Sequence, residues 1–92
     1  MKMTQKQLFI GGLLLNHKEK GINVYEFIKT YKKELEEQKI DTTKINSVNA
    51  TLASLASKEL ATKKKTAYND KMVTTYTPTD LLEQVINKKE EE

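Results

Sequence analysis

The segment from Thr43 to Tyr76 limits what this chain can fold into more than any other stretch. A helix with an almost uncharged outer face runs directly into a lysine-rich hairpin. Ile45, Val48, Leu52 and Leu55 recur at i, i+3, i+7 and i+10, so one stripe of that helix is suited to a core. The opposite side carries Thr43, Asn46, Ser47, Ala50, Thr51, Ser54 and Ser57, in a chain that elsewhere uses Lys and Glu freely on polar faces. Small hydrogen-bonding side chains let a helix approach another surface closely. Lys63, Lys64 and Lys65 follow, then the turn-like Asn69-Asp70-Lys71, then the β-branched and aromatic run from Met72 to Tyr76. A helix shaped for a groove thus stands beside a basic β-ribbon.

Charge is concentrated in the same place. The net charge of the 92 residues is +3. Between Lys39 and Tyr76, seven lysines face three acids, a net +4 that leaves −1 for the remainder. Basic charge gathered around one helix and its hairpin is the electrostatic footprint of a nucleic-acid face. All sixteen basic residues are lysine. Without arginine, the bidentate contact to guanine is missing, and base reading would fall to Asn, Thr, Ser and Lys with methyl contacts to thymine.

The remaining pattern predicts a single domain over 1–87, mostly α with a small β-hairpin (α+β), and a charged flexible tail over 88–92. Thr4-Gln5-Lys6-Gln7 has the form of a capping box and opens a first helix, apolar on several sides through Leu8, Ile10, Leu13, Leu14 and Leu15. Gly11-Gly12 within it would cost roughly 1 kcal/mol each relative to Ala, which points to close packing or a kink. Gly21 reads as a stop. Asn23, with Glu26 three residues on, opens a second helix to about Gln38, striped by Val24, Phe27, Ile28, Tyr31 and Leu35. Asp41 to Thr43 are expected to cap the third helix. Leu60–Ala67 and Met72–Tyr76 form the hairpin, and Thr77-Pro78-Thr79-Asp80 leads into a short helix with Leu81, Leu82, Val85 and Ile86.

Several classes of function are disfavoured. There is no cysteine, so disulfides and thiolate metal sites are unavailable and an intracellular location fits. No apolar run approaches the ~18–20 residues of a membrane span, and the Met1-Lys2 start is too slight for a signal peptide; a cytoplasmic protein without membrane contact is expected. His17 is the one histidine, and Glu19 at i+2 does not share its helix face, so a solvated histidine is expected there. No phosphate-binding glycine loop and no nucleophile–base pair is present. Neither enzymatic activity, a metal nor a cofactor is expected.

Val48 to Leu55, then Lys58-Glu59-Leu60-Ala61-Thr62-Lys63, then Tyr76-Thr77-Pro78-Thr79 resemble the core of the winged helix-turn-helix superfamily, with MarR-type transcriptional regulators as the family named. Glu59 stands where that family usually has glycine, and lysines replace the arginines of its wing. The resemblance implies three helices, a wing and a short C-terminal helix. It assigns residues 43–57 to a recognition helix in the major groove, with Thr43, Lys44, Asn46, Ser47, Ala50 and Thr51 outward. Asn46 would pair with adenine, while Ala50 and Thr51 would meet thymine methyl groups. It assigns 60–76 to a wing whose Lys63, Lys64, Lys65 and Lys71 contact phosphates or the minor groove.

The function implied is sequence-specific binding of double-stranded DNA, as a small transcriptional regulator or a phage or plasmid partition or replication accessory factor. The alternative is a winged-helix module that docks the same helix on a polymerase or host protein, since the fold serves both. Leu13, Leu14 and Leu15, with Leu82, Val85 and Ile86, exceed what so small a core needs and suggest a homodimer through the first and last helices.

Overall fold

The computed structural model describes residues 3–91, with side chains through Asn87. In chain order it contains α1 (Gln5–Leu14), a single 3-10 turn (Leu15–His17), β1 (Ile22–Asn23), α2 (Val24–Glu37), α3 (Ile45–Ser57), β2 (Ala61–Tyr68), β3 (Lys71–Pro78) and α4 (Asp80–Glu91). The expected flexible tail over 88–92 falls on residues whose side chains lie outside those described, and Glu92 is outside altogether.

Local chemistry explains where the helices start and stop. The capping box of α1 is complete: Gln7 N–H donates to Thr4 Oγ1 at 3.0 Å, and Thr4 N–H donates to Gln7 Oε1 at 2.9 Å. At α2, Glu26 N–H donates to Asn23 Oδ1 at 2.9 Å. The third helix departs from expectation. Its N-cap is Lys44, without a side-chain cap, because Asp41 instead accepts the hydroxyl and the amide of Thr43 at 2.6 and 2.8 Å. Those two bonds, the hydroxyl first, lower the Asp41 pKa. Pro78 is likewise the last residue of β3 rather than an early helical one; Thr79 caps α4, accepting Leu82 N–H at 3.4 Å.

Both α2 and α3 end in the same way. Leu60 N–H reaches Leu55 C=O and Glu59 N–H reaches Ala56 C=O, at 2.9 and 3.0 Å, with Glu59 left-handed at φ 63°. Lys39 repeats this after α2 at φ 60°. This is the 6→1 and 5→2 pattern that usually recruits glycine. Glu59 therefore occupies the glycine position without glycine's freedom.

The hairpin is part of a three-stranded antiparallel sheet of order β1-β3-β2, a strand more than expected. Ile22 pairs with Tyr76 and Asn23 with Thr75. Two residues give no periodicity, so sequence pattern cannot announce such a strand. β2 and β3 pair from Ala61↔Pro78 to Tyr68↔Lys71. Asn69 and Asp70 form the two-residue turn with φ of 48° and 65°, the left-handed pair that matches strand twist. Gly21 precedes β1 at φ 70°, and a Cβ there would stand 2.4 Å from Thr77 Oγ1 and 2.7 Å from Tyr76 O.

The core gathers Ile10 and Leu14 of α1, Phe27 and Leu35 of α2, Val48, Leu52 and Leu55 of α3, Leu60, Tyr76, and Leu82 and Ile86 of α4. At Gly11 the fourth helix crosses the first: a Cβ would lie 3.1 Å from Leu82 Cδ1 and 3.4 Å from Ile86 Cδ1. Close packing, not a kink, accounts for that glycine; Gly12 has nothing within 4 Å of the same position. α2 leaves helical geometry at Tyr31, whose hydroxyl is 2.7 Å from His17 Nε2. His17 is thus half-buried on Tyr31 rather than solvated, and burial lowers its pKa.

Two of the left-handed positions, Gly21 and Glu59, should respond in opposite senses. Gly21→Ala should lose about 2 kcal/mol or more, from left-handed strain and a clash with backbone. Glu59→Gly should gain about 0.5–1 kcal/mol, because relief of strain exceeds the extra chain entropy. Thermal unfolding followed by circular dichroism reads both, at roughly 4–8 °C per kcal/mol for a domain of this size.

Candidate nucleic-acid interface

The polar side of α3 divides into two strips with different partners. Thr43, Lys44, Asn46 and Ala50 are exposed and continue along the helix through half-exposed Ala53 to exposed Ser57. This strip carries one charge, at its N-terminal end, and side chains short enough for backbone and groove floor to come close.

The second strip, Ser47, Thr51 and Ser54 at i, i+4 and i+7, turns toward α1. Lys6 Nζ donates to Ser47 Oγ at 2.6 Å and Gln7 Nε2 donates to Ser54 Oγ at 2.9 Å. Lys58 Nζ reaches Gln7 Oε1 at 3.3 Å. Thr51 is 8% exposed, and its hydroxyl donates to Ser47 C=O at 3.2 Å. The outward placement of Thr51 is therefore corrected: its side chain is buried, with the hydroxyl turned back onto its own helix. Ser47 is half-buried and already engaged by Lys6. A helical repeat specifies which residues share a side, but Ser and Thr are equally at home against water, a groove or a neighbouring helix.

The sheet positions the wing against α3. Tyr76 is 2% exposed, and its hydroxyl donates to Asn49 Oδ1 at 2.9 Å. Burial pushes its pKa up. Strand alternation then sorts the wing lysines. Lys63 pairs with Tyr76 and Lys65 with Thr74, so both lie on the face that α3 packs against nearer the base. Lys64 pairs with Thr75 and, with Lys71, lies on the reverse face. The four lysines all reach solvent but do not form one patch. Among the described residues none of them makes an ion pair, the one such pair being Lys18 with Glu83. Lys65 Nζ donates to Thr74 Oγ1 at 3.1 Å.

Sequence reasoning missed two features of this surface. Ala53 completes the outward strip of α3, and its position seven residues after Asn46 was the available signal. Met72 is 62% exposed on the same wing face as Lys63 and Lys65. The alternation of β3, with Val73 and Thr75 buried, would have identified that face had the register been known.

No protein-family model matches the chain, and no curated protein matches it. Among solved structures it is similar to Bacillus subtilis PadR in complex with operator DNA, with a TM-score of 0.72 and 22% identity over 96% of this chain and 47% of that one. It is also similar to a PadR family transcription regulator from hypervirulent Clostridium difficile R20291, with a TM-score of 0.68 and 16% identity over 96% of this chain and 85% of that one. The chain spans about half the length of the Bacillus protein. The fold is a winged helix-turn-helix, with α2 and α3 as the helix pair and β2–β3 as the wing. Both neighbours carry the PadR name, which denotes a different family from MarR.

The division of α3 has a measurable consequence. Gln7→Ala should lower stability by about 1–2 kcal/mol, since it breaks the capping box and strips a partner from Ser54. Asn46→Ala, on the outward strip, should stay within about 0.5 kcal/mol of the parent. Urea unfolding of the two variants checks the contrast.

Proposed function

We propose that this protein is a DNA-binding transcription regulator, not an enzyme, and reads double-stranded DNA with α3 in the major groove and the β2–β3 wing on the backbone. The observation that carries this reading is the outward strip of Thr43, Lys44, Asn46, Ala50, half-exposed Ala53 and Ser57, with one charge at its N-terminal end, beside Lys63 and Lys65, lysines without ion-pair partners among the described residues. The structural neighbour in complex with operator DNA supports it. Asn46 is the residue suited to bidentate contact with adenine, and the Ala50 methyl group to contact with thymine. Lys44 and the wing lysines supply phosphate contacts, which give affinity and register without sequence information. Sequence-specific recognition, a MarR-type mode of regulation and a phage or plasmid setting are finer parts of the same proposal.

The reading includes a homodimer, with a reduced interface. Leu14 and Leu82 are fully enclosed in the core of the protomer and cannot serve a partner, and Ile86 is mostly buried there. What remains on α1, the 3-10 turn after it and α4 is half-buried Leu8, Phe9, Leu13, Leu15 and Val85, with Leu81 37% exposed. Leu8 and Phe9 line a groove of about 740 Å³ with Ile40 and Ile86. A C2 pair would set two copies of α3 about one turn of DNA, ~34 Å, apart. Sedimentation equilibrium should return twice the chain mass, and Leu8→Glu with Phe9→Glu should return the monomer. A concentration-independent monomer for the parent protein sinks the dimer.

Fluorescence anisotropy with A/T-containing duplexes across a salt series tests the DNA reading. Binding should weaken with salt by a log–log slope near −0.9 per phosphate contact. Lys63→Ala with Lys65→Ala should flatten that slope by roughly 2 per protomer. Asn46→Ala should weaken binding to a selected site by about 1–3 kcal/mol and leave random duplex binding unchanged. Absence of binding at low salt moves the helix to the protein-docking alternative.

A further inference from the structure

The outer wing is longer than the sheet that supports it. β1 pairs with β3 only at Thr75 and Tyr76, so residues 65–74 project as a two-stranded ribbon. Such ribbons are marginal in water and vary in twist. A ribbon free to swing would lose affinity to the entropy of ordering it on DNA.

On the reverse face of this ribbon, three contacts join its end to the first turn of α2. Tyr68 Oη donates to Glu26 Oε1 at 2.7 Å. The rings of Tyr25 and Tyr68 stack with centroids 5.9 Å apart and planes 11° from parallel. Lys71 Nζ, on the residue paired with Tyr68, stands 4.5 Å from the Tyr25 ring centroid and 3.5 Å from its hydroxyl. Val73, between the base and the tip on that face, is 6% exposed. The bond from Tyr68 to Glu26 also raises the Tyr68 pKa.

The first turn of α2 is itself fixed to the sheet. Asn23 pairs with Thr75 and accepts Glu26 N–H, so the path from β3 through β1 to Glu26 and Tyr68 returns to the end of the same hairpin. A closed path of short contacts resists bending that an open ribbon allows. The opposite face, with Lys63, Lys65 and Met72, is left open on the side where α3 lies.

We infer that Tyr25, Glu26 and Tyr68 are positioning residues for DNA binding: they brace the wing from behind so that Lys65 and Met72 are presented in register with α3 and with Lys63, which β1 and β3 already hold. This rests on the DNA-binding reading above. The brace makes no contact with DNA. It acts by removing the freedom of the ribbon before binding, so its loss weakens affinity without removing a phosphate contact.

Four variants test this: Tyr68→Phe, Tyr25→Leu, Glu26→Ala and Glu26→Gln. Each is measured for duplex-DNA affinity across salt, for Tm, and for amide hydrogen exchange of residues 65–74. Tyr68→Phe and Tyr25→Leu should weaken affinity roughly three- to tenfold with an unchanged salt slope and faster exchange in the wing. Glu26→Gln keeps an acceptor for Tyr68 and should bind as the parent does or better. Glu26→Ala removes a negative charge near the wing, which alone would tighten binding to a polyanion; weaker binding is the signature of the brace.

Equal affinities for Tyr68→Phe, Tyr25→Leu and the parent overturn the inference, whether or not exchange quickens. An affinity loss that only follows the lost folded fraction overturns it too. A parent protein that ignores DNA at low salt overturns the functional reading together with the brace. A parent that binds while Tyr68→Phe and Tyr25→Leu bind equally well overturns the brace alone.

Discussion

Asn23 joins the two layers of this protein, and much of the geometry follows from that junction. Its backbone pairs with Thr75 in the sheet, while its side chain caps α2 by accepting Glu26 N–H. One residue therefore ties the start of the helix layer to the central strand. Gly21 makes the approach possible, since a Cβ at that point would collide with Thr77 Oγ1 and with the Tyr76 carbonyl. From this junction α2 runs into the left-handed Lys39 and the short connection to α3, and β3 runs out to the hairpin turn. The relative placement of helix pair and wing is a consequence of a two-residue strand.

The second consequence concerns α3. A helix that must be held firmly and also leave one side open has few side chains for both tasks. Val48, Leu52 and Leu55 supply the apolar anchor, and the Asn49 contact with Tyr76 joins the helix to the sheet. The contact with α1 is then made by Ser47, Thr51 and Ser54 with Lys6 and Gln7, a polar seam in which short side chains allow the helices to approach. Every buried side-chain polar atom among the described residues has a hydrogen-bond partner, which keeps the cost of such a seam low. The outward strip is free of structural duty and can vary with what it meets.

Much of this was legible from the chain. The capping box at Thr4, the cap at Asn23, the core stripes of α2 and α3 and the Asn69-Asp70 turn all rest on interactions between residues close in sequence or on a repeat of one period. Glu59 was recognisable as an unusual residue at a glycine position, and its φ of 63° explains what that position demands. Other features depended on partners far away in sequence. β1 exists because Tyr76 and Thr75 lie opposite it, and Tyr68 finds Glu26 only after the sheet has formed. The cap of α3 differed because Asp41 could satisfy Thr43 locally in two ways.

By itself the sequence determined the number and type of the helices, the hairpin and its turn, and the concentration of lysine around one helix and one ribbon. Those depend on periodicity, local capping and composition, which need no neighbour from elsewhere in the chain. Tertiary structure decided which polar residues of α3 remain available, which lysines share a face, and what holds the wing. Thr51 is enclosed, Lys63 and Lys65 look one way while Lys64 and Lys71 look the other, and Tyr25 and Glu26 support the hairpin from behind. The physical reason is that a hydroxyl, an amide or an ammonium group is compatible with water and with a protein partner alike, so only the register of strands and the packing of helices assigns it to one of them.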